Sequence, residues 1–314
     1  MADAVMADKQ RMTLSTGVDL DVWTAGDPAN PAIIFLHGFP ESHRTWRHQM
    51  AALSGRYFCI APDQRGYARS SKPQKVTDYA VPKLVADVFA LADALGIERF
   101  TLAAHDWGGA IGWAAALGRP ERVERLIIAN APHPYVFQKM LIEDLAQRAA
   151  SQYIRTFRDN DLEQRISENG VAWFFDHSFM RHLTQDDVGQ EERALYLDQW
   201  SQPGALTAMF NWYRASPMTV PAMDEVVPRP PFLDAPFPTL AMPVLIVWGL
   251  NETGELQDLV PASSSITAVI ANNRLLPVNS CGNPKTASSA KWDWLASFPS
   301  SGAIGIGNSA IASR

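Results

Sequence analysis

The chain has 314 residues and a formal net charge of −6, with 47% hydrophobic and 19% charged residues. This size suits one large α/β domain, or a core that carries an insertion. The negative charge, without any run of Lys or Arg, argues against a nucleic-acid partner.

Cysteine content and hydropathy narrow the class of protein further. Cys59 and Cys281 are too few and too far apart to form a disulfide framework or a metal site. Residues 1–9 lack the apolar core of a signal peptide, and no apolar run approaches the length of a membrane span. We therefore expect a cytoplasmic protein with no cofactor, no bound metal and no membrane partner.

Strand-like and helix-like segments alternate in the first half of the chain. The predicted strands are 18–24, 32–36, 57–61, 100–104 and 123–129, and the predicted helices are 46–53 and 81–95. Buried, Val/Ile/Leu-rich strands that alternate with helices predict an α/β fold with a doubly wound, mostly parallel sheet. Ligands of such sheets bind beyond the carboxyl ends of the strands. The polar residues at or just past these ends are His37, Asp63, Asp106 and Asn130.

The alternation stops after residue 131 and resumes near residue 242. The pattern from 136 to about 213 is helical, residues 217–238 are too rich in proline for a regular helix, and 242–248 again resembles a buried strand. We expect a core of residues 1–131 and 238–295, split by an inserted helical cap at 132–237. Ser, Gly and Ala dominate the end of the chain, which predicts a disordered tail at 296–314.

The most informative segment joins the strand at 100–104 to a helix of small residues. Its sequence, Ala104-His-Asp-Trp-Gly-Gly109, places small residues around a central Asp106. A strand, a sharp turn and a helix of this kind form a nucleophile elbow, which lifts one side chain clear of the sheet. A carboxylate at this position attacks carbon electrophiles such as strained ethers or alkyl halides and forms an ester. A simpler interpretation is that Asp106 caps the following helix.

Several motifs, in the same order, resemble those of the α/β-hydrolase fold and, within it, the epoxide hydrolases. They are His37-Gly-Phe-Pro40, Asp63-Gln-Arg-Gly-Tyr-Ala-Arg-Ser-Ser-Lys-Pro73, His105-Asp-Trp-Gly-Gly109 and Phe210-Asn-Trp-Tyr-Arg214, together with Tyr153 in Ser151-Gln-Tyr-Ile154. The similarity extends from about residue 12 to residue 283.

The resemblance implies a role for each matching residue. Asp106 is the expected nucleophile, and the hydroxyl groups of Tyr153 and Tyr213 are expected to hydrogen-bond and protonate the departing epoxide oxygen. The backbone N–H groups of Phe39 and Trp107 are expected to form the oxyanion hole for hydrolysis of the ester. The expected partners are a small apolar epoxide-like substrate and water, and a homodimer is one option for the assembly.

The chain departs from the family pattern in its last third. Glu252 stands at the acid position, where Asp is usual. Asn283 stands where the general-base histidine is expected, and no histidine follows His182. A frameshift in the gene, decay of the enzyme or an altered function would each produce this change.

Three functions remain open from the sequence. An epoxide hydrolase with impaired turnover accounts for the motifs best. A haloalkane dehalogenase would share Asp106 and would bind the halide with the Trp107 indole N–H. It does not explain the two cap tyrosines, because a halide leaves without a proton. A non-catalytic or single-turnover binding protein would fit the missing histidine. We expect His37 and His105 to be packed structural residues, and His177 and His182 to lie on the surface. His177, His182 and His133 are each weak candidates to replace the missing base.

Overall fold

A computed structural model describes residues 8–182, 188–235, 240, 242–247, 269–271 and 274–276. Within these ranges a seven-stranded sheet forms the core. Its strands are β1 (Asp8–Thr13), β2 (Asp19–Ala25), β3 (Ala32–Leu36), β4 (Phe58–Pro62), β5 (Phe100–His105), β6 (Val123–Ala129) and β7 (Val244–Val247). Two short strands, β8 (Val269–Ala271) and β9 (Arg274–Leu276), pair with each other in an antiparallel hairpin.

The sheet has the strand order β1-β2-β4-β3-β5-β6-β7. The two pairs at one edge, β1 with β2 and β2 with β4, are antiparallel, whereas the remaining pairs from β4 to β7 are parallel. The predicted mostly parallel, doubly wound sheet is therefore confirmed.

Alternate residues of the central strands pack on opposite faces of the sheet. In β3, Ile34 and Leu36 belong to one hydrophobic cluster, and Ile33 and Phe35 belong to another. Because successive side chains of a strand point to opposite faces, a strand covered on both sides is a continuous apolar run. Every residue of β3 is buried, as this rule requires.

Helices cover both faces of the sheet. In the first part of the chain they are α1 (Arg47–Leu53), α2 (Val81–Ala94) and α3 (Trp107–Gly118). Met50 and Leu53 of α1 pack on one face, while Leu84 of α2 and Ile111 of α3 pack on the other. Helix α2 starts where the sequence predicts it, with proline in its first turn, where the missing N–H costs nothing.

A run of helices lies between β6 and β7. It consists of α4 (Pro134–Glu143), α5 (Leu145–Ala150), α6 (Tyr153–Arg158), α7 (Asp161–Asn169), α8 (Val171–His177), α9 (Gln190–Trp200) and α10 (Ala205–Ala215). We call residues 134–215 the helical insertion. The exact division into core and cap segments stays a prediction, and the tail at 296–314 lies outside the described residues. None of the described helices is long and apolar enough to cross a membrane.

The sequence pattern missed strand β1. Its residues are exposed except for partly buried Met12, so the strand has no buried face and no apolar alternation that could reveal it. It is held at the sheet edge by pairing with β2 and by ion pairs from Lys9 and Arg11 to the buried Asp21. Polar edge strands of this kind also protect a sheet from pairing with another chain.

A buried ion pair connects the loop after β4 to helix α2. Arg65 donates two hydrogen bonds of 2.7 Å to Asp87, and the two side chains are only 5% and 7% exposed. Thr16 donates a further hydrogen bond to Asp87, and the backbone carbonyl of Arg65 accepts one from the indole of Trp212 in α10. The pair therefore supports both the core and the contact between the core and the helical insertion.

Replacing Asp87 by Asn should be strongly destabilising. The change leaves the Arg65 guanidinium buried without its carboxylate, which should lower the free energy of unfolding by about 3 kcal/mol or more. Asp93→Asn on the same helix is the matched control, because Asp93 is 61% exposed in its pair with Arg122 and should cost less than about 1 kcal/mol. Urea unfolding measures both values, and equal losses in the two variants would contradict this interpretation.

Candidate active site

Asp106 lies at a sharp turn between β5 and α3. Its backbone has φ 50° and ψ −122°, a region that residues other than glycine seldom adopt and that costs about 1–3 kcal/mol. The turn needs glycine nearby, since a Cβ on Gly38 would lie 2.3 Å from the Cβ of Asp106, and one on Gly108 would lie 2.5 Å from the carbonyl oxygen of His37. The Asp106 side chain makes no capping hydrogen bond to α3, so the simpler capping interpretation fails.

Backbone N–H groups from two chain segments converge on the Asp106 carboxylate. The N–H of Phe39 donates to Oδ1 over 2.6 Å, and the backbone N–H of Trp107 lies near enough to lower the pKa of the carboxyl group. Burial raises the pKa of Asp106 above its ordinary value, although both N–H groups and the neighbouring His105 oppose the shift. The site therefore contains a poorly hydrated carboxylate that is oriented by fixed donors.

His105 and Glu41 form a pair beside Asp106 that sequence reasoning did not identify. The Nδ1 atom of His105 lies 3.1 Å from Oε2 of Glu41. Burial alone would raise the pKa of Glu41, but the hydrogen bond and charge of His105 hold it below its ordinary value. His105 is thus more than the packed residue expected, because its charge also favours the ionised form of Asp106.

His37 holds the loop that carries Phe39. It is fully buried, and burial lowers its pKa. Its Nε2 accepts a hydrogen bond of 3.0 Å from the backbone N–H of Gln64, which leaves Nδ1–H to donate to the carbonyl of Gly38 at 2.9 Å. The predicted structural role of His37 is therefore confirmed. This neutral histidine links the carboxyl ends of β3 and β4.

Tyr213 of α10 lies against the two residues that donate to Asp106. Its ring centroid is 5.0 Å from that of Phe39 and 5.1 Å from that of Trp107, both in edge-to-face geometry. Burial, followed by the negative charge of Asp106, raises the pKa of Tyr213 well above its ordinary value, while a hydrogen bond from the Trp107 side chain opposes this shift. Tyr213 is therefore protonated near neutral pH and can act as a donor.

Tyr153 of α6 lies beside Tyr213, with 6.4 Å between the ring centroids. Both tyrosines line a cavity of about 580 Å³ together with Asp106 and Trp107. Most of the other lining residues are apolar, and they include Ala110, Ile154, Pro132, Phe137, Met218 and Phe232. The structure thus brings together five of the six predicted site residues, with Phe39 contributing its backbone N–H.

The remaining predicted site residue, Glu252, lies outside the described residues, as does Asn283. His177 is exposed, as predicted, whereas His133 lines the cavity. The side chain of His182 is also outside the described part of the chain. Among the residues that are described, no group of three or more His, Cys, Asp or Glu side chains is arranged to hold a metal ion.

Comparisons with known proteins agree with this geometry. Residues 31–254 match the α/β hydrolase fold family. Epoxide hydrolase A of Mycobacterium tuberculosis (strain ATCC 25618 / H37Rv) is 41% identical over 239 residues, which cover 66% of this chain and 74% of that protein. AB hydrolase superfamily protein YfhM of Bacillus subtilis (strain 168) is 38% identical over 212 residues, covering 64% of this chain and 71% of that protein.

A solved structure supports the same assignment. It belongs to a study of novel epoxide hydrolases of the α/β hydrolase superfamily in metagenomes from hot environments, has 47% identity and a TM-score of 0.72, and is matched over 79% of this chain and 83% of that chain. The chain spans less than two thirds of the length of the vertebrate epoxide hydrolases 3 and 4 that it matches. From its fold, its motifs and these relatives, the chain belongs to the α/β-hydrolase fold family and, within it, to the epoxide hydrolases.

Proposed function

We propose that this chain opens an apolar epoxide by forming a covalent ester on Asp106, and that it hydrolyses the ester slowly. The observation that carries the proposal is the position of the Asp106 carboxylate, whose Oδ1 accepts a hydrogen bond from the backbone N–H of Phe39 and which lies beside the backbone N–H of Trp107. The carboxylate lines the same cavity as Tyr153 and Tyr213. A nucleophile, oxyanion donors and proton donors thus surround the same space.

In the first step, the free oxygen of the Asp106 carboxylate attacks a ring carbon of the epoxide. The new C–O bond forms an ester as the ring C–O bond breaks, and the electron pair of that bond passes to the departing oxygen. A tyrosine hydroxyl donates its proton to this oxygen, which yields a neutral alcohol. The Trp107 side chain, which packs against Tyr213 and lowers the pKa of its hydroxyl, favours the tyrosinate that remains.

In the second step, water attacks the ester carbonyl. The negative charge that develops on the carbonyl oxygen is stabilised by the N–H of Phe39, which holds Oδ1 in the free enzyme, and by the neighbouring N–H of Trp107. Water needs a base for this attack, and a positioned base contributes about 10²–10⁴-fold. Asn283 can hold water by hydrogen bonds, but its amide cannot accept a proton near neutral pH, so we expect the ester to accumulate.

Neither His133 nor His177 is well suited to act as a substitute base. His133 lines the cavity, but burial lowers its pKa to about 4, and its Nδ1 accepts a hydrogen bond from the backbone N–H of Tyr135. His177 is exposed and bonds to the carbonyl oxygen of Trp173. Slow deacylation is therefore consistent with the surroundings of these two histidines.

The dehalogenase alternative has weaker support from the geometry. A halide site of the kind considered would use the Trp107 indole N–H, whereas the Trp107 ring packs edge to face against Tyr213. A departing halide takes no proton, so two tyrosines beside Asp106 would have no task. An epoxide uses both features, because its oxygen leaves as an alkoxide that must be protonated.

The protein should form one equivalent of ester when it is exposed to styrene oxide. Ring opening uses groups that line the described cavity, whereas Asn283 stands where the sequence pattern leads us to expect the histidine base for ester hydrolysis. Intact-mass spectrometry should therefore detect a single addition, absent from Asp106→Ala. Asn283→His should shorten the lifetime of the adduct by about 10²-fold or more if residue 283 occupies the position of the base.

The matched measurement is release of the diol in the same samples. A burst of at most one equivalent, followed by slow release, is the expected time course. Steady diol formation without an adduct would contradict impaired turnover. Adduct formation that persists in Asp106→Ala would contradict the assignment of the nucleophile.

The rate of alkylation should fall in acid, with a midpoint at a pH above the ordinary pKa of aspartate. Only the carboxylate form of Asp106 attacks, and burial raises its pKa above 3.8, so the rate should fall by half at a pH higher than 3.8. Because burial raises the pKa of Tyr213 well above 10, no loss of alkylation rate is expected between neutral pH and pH 10. Adduct formation measured against pH, with circular dichroism to verify folding, tests this profile. An acid midpoint at or below 3.8 would contradict it.

A further inference from the structure

Two arginines connect the ends of the helices that carry the cavity tyrosines. Tyr153 is the first residue of α6, which ends at Arg158, and Tyr213 lies near the end of α10, next to Arg214. Each arginine reaches from its own helix to the carboxyl end of the other. The contacts are therefore reciprocal.

Arg158 holds the end of α10 and the chain that follows it. Its Nε donates to the carbonyl of Tyr213 over 3.0 Å, and its Nη2 donates to the carbonyls of Ser216, over 3.4 Å, and Met218, over 2.8 Å. The last carbonyls of a helix have no partner within it, and cationic side chains satisfy them favourably. The Tyr213 carbonyl accepts from the Ser216 N–H over 3.3 Å as well as from Arg158, so Arg158 acts directly on the backbone of that tyrosine.

Arg214 makes the corresponding contacts at the end of α6. Its Nη2 donates to the carbonyl of Asp159 over 3.3 Å, and its Nε lies 3.5 Å from the carbonyl of Arg158. Its guanidinium also forms a forked pair with Glu163 at 2.9 and 3.3 Å. The Arg214 side chain is only 11% exposed, so little water competes for these bonds.

The shape of the guanidinium group is needed for these contacts. Arg158 spans carbonyl groups of Tyr213 and Met218, and no carboxylate within the described part of the chain forms an ion pair with it. A lysine carries the same charge, but as a compact ammonium it cannot reproduce a planar fork of donors. The two helices are thus joined by geometry as well as by charge.

We propose that Arg158 and Arg214, which we call the arginine clamp, set the separation and orientation of Tyr153 and Tyr213 for protonation of the epoxide oxygen. Both arginines are positioning residues, since they act through the helices that carry the tyrosines. The catalytic part of this inference rests on the proposed function, whereas the positional part does not. A shift of about 1 Å in a reacting group can cost on the order of 10²-fold in rate.

The positional part is tested by ¹⁹F NMR of protein labelled with 3-fluorotyrosine. The chain contains seven tyrosines, and Tyr153→Phe and Tyr213→Phe variants assign the two resonances of interest. Arg158→Ala should shift or broaden both of them. Arg155→Ala is the matched control, because Arg155 also lies on α6 but, among the described residues, bonds to the carbonyl of Val220 and pairs with Glu225, and not with a residue of α10.

The catalytic part is tested by a double-mutant cycle on the rate of ester formation. Arg158→Ala should lower the maximal alkylation rate by about 10-fold to 10²-fold, with less than a twofold change in the epoxide concentration that gives half of that rate. In the Tyr153→Phe, Tyr213→Phe background the same substitution should have almost no further effect. Arg158→Lys should recover only part of the rate, and it replaces the alanine variant if that variant does not fold.

Unchanged resonances of both tyrosines in Arg158→Ala would overturn the clamp, whatever the activity of the protein. The clamp would also be overturned if the resonances shift but Arg158→Ala lowers the rate equally in the presence of both tyrosines and in the Tyr153→Phe, Tyr213→Phe variant. The loss of rate would then not act through the tyrosines. If the unsubstituted protein forms no ester, the proposed function fails. The NMR result then decides the positional claim by itself.

Discussion

The turn at Asp106, where φ is positive, is packed so closely that two neighbouring positions have no room for a Cβ. The loop after β3 approaches so closely that a Cβ on Gly38 would overlap the Asp106 side chain, and a Cβ on Gly108, the second residue of α3, would overlap the end of β3. The same approach brings the N–H of Phe39 to 2.6 Å from the carboxylate. One constraint therefore places the proposed nucleophile and its oxyanion donors together, at a cost of about 1–3 kcal/mol in backbone strain.

The helical insertion depends on this turn through aromatic contacts. Phe39 and Trp107 flank Asp106 and pack against Tyr213, and Phe39 also contacts Phe157 of α6 at 4.9 Å between ring centroids. The indole of Trp212 donates to the carbonyl of Arg65 in the core. Residues beside Asp106 thus form part of the surface on which α6 and α10 pack, so the position of the tyrosines depends on the turn at Asp106.

Local patterns predicted the central sheet and most of the site, because each depends on neighbouring residues. The apolar run of β3, the elbow around Asp106 and the motif that contains Tyr213 all lie within short stretches of sequence. Features that depend on contacts between distant residues could not be predicted in this way. Glu41 pairs with a histidine 64 positions away, and Arg158 bonds to a carbonyl 55 positions away. The edge strand β1 was missed for a different reason, since an exposed polar strand carries no apolar alternation.

The central claim is that Asp106 is the nucleophile, and peptide mapping after exposure to styrene oxide tests it most directly. The protein is alkylated near neutral pH, digested, and the added mass is located by fragmentation. We predict that the epoxide mass resides on the peptide that contains Asp106, as an ester on that residue, and that it is released by mild base as carboxylate esters are. Alkylation confined to Glu41, to a cysteine or to a histidine, with Asp106 unmodified, would contradict the claim.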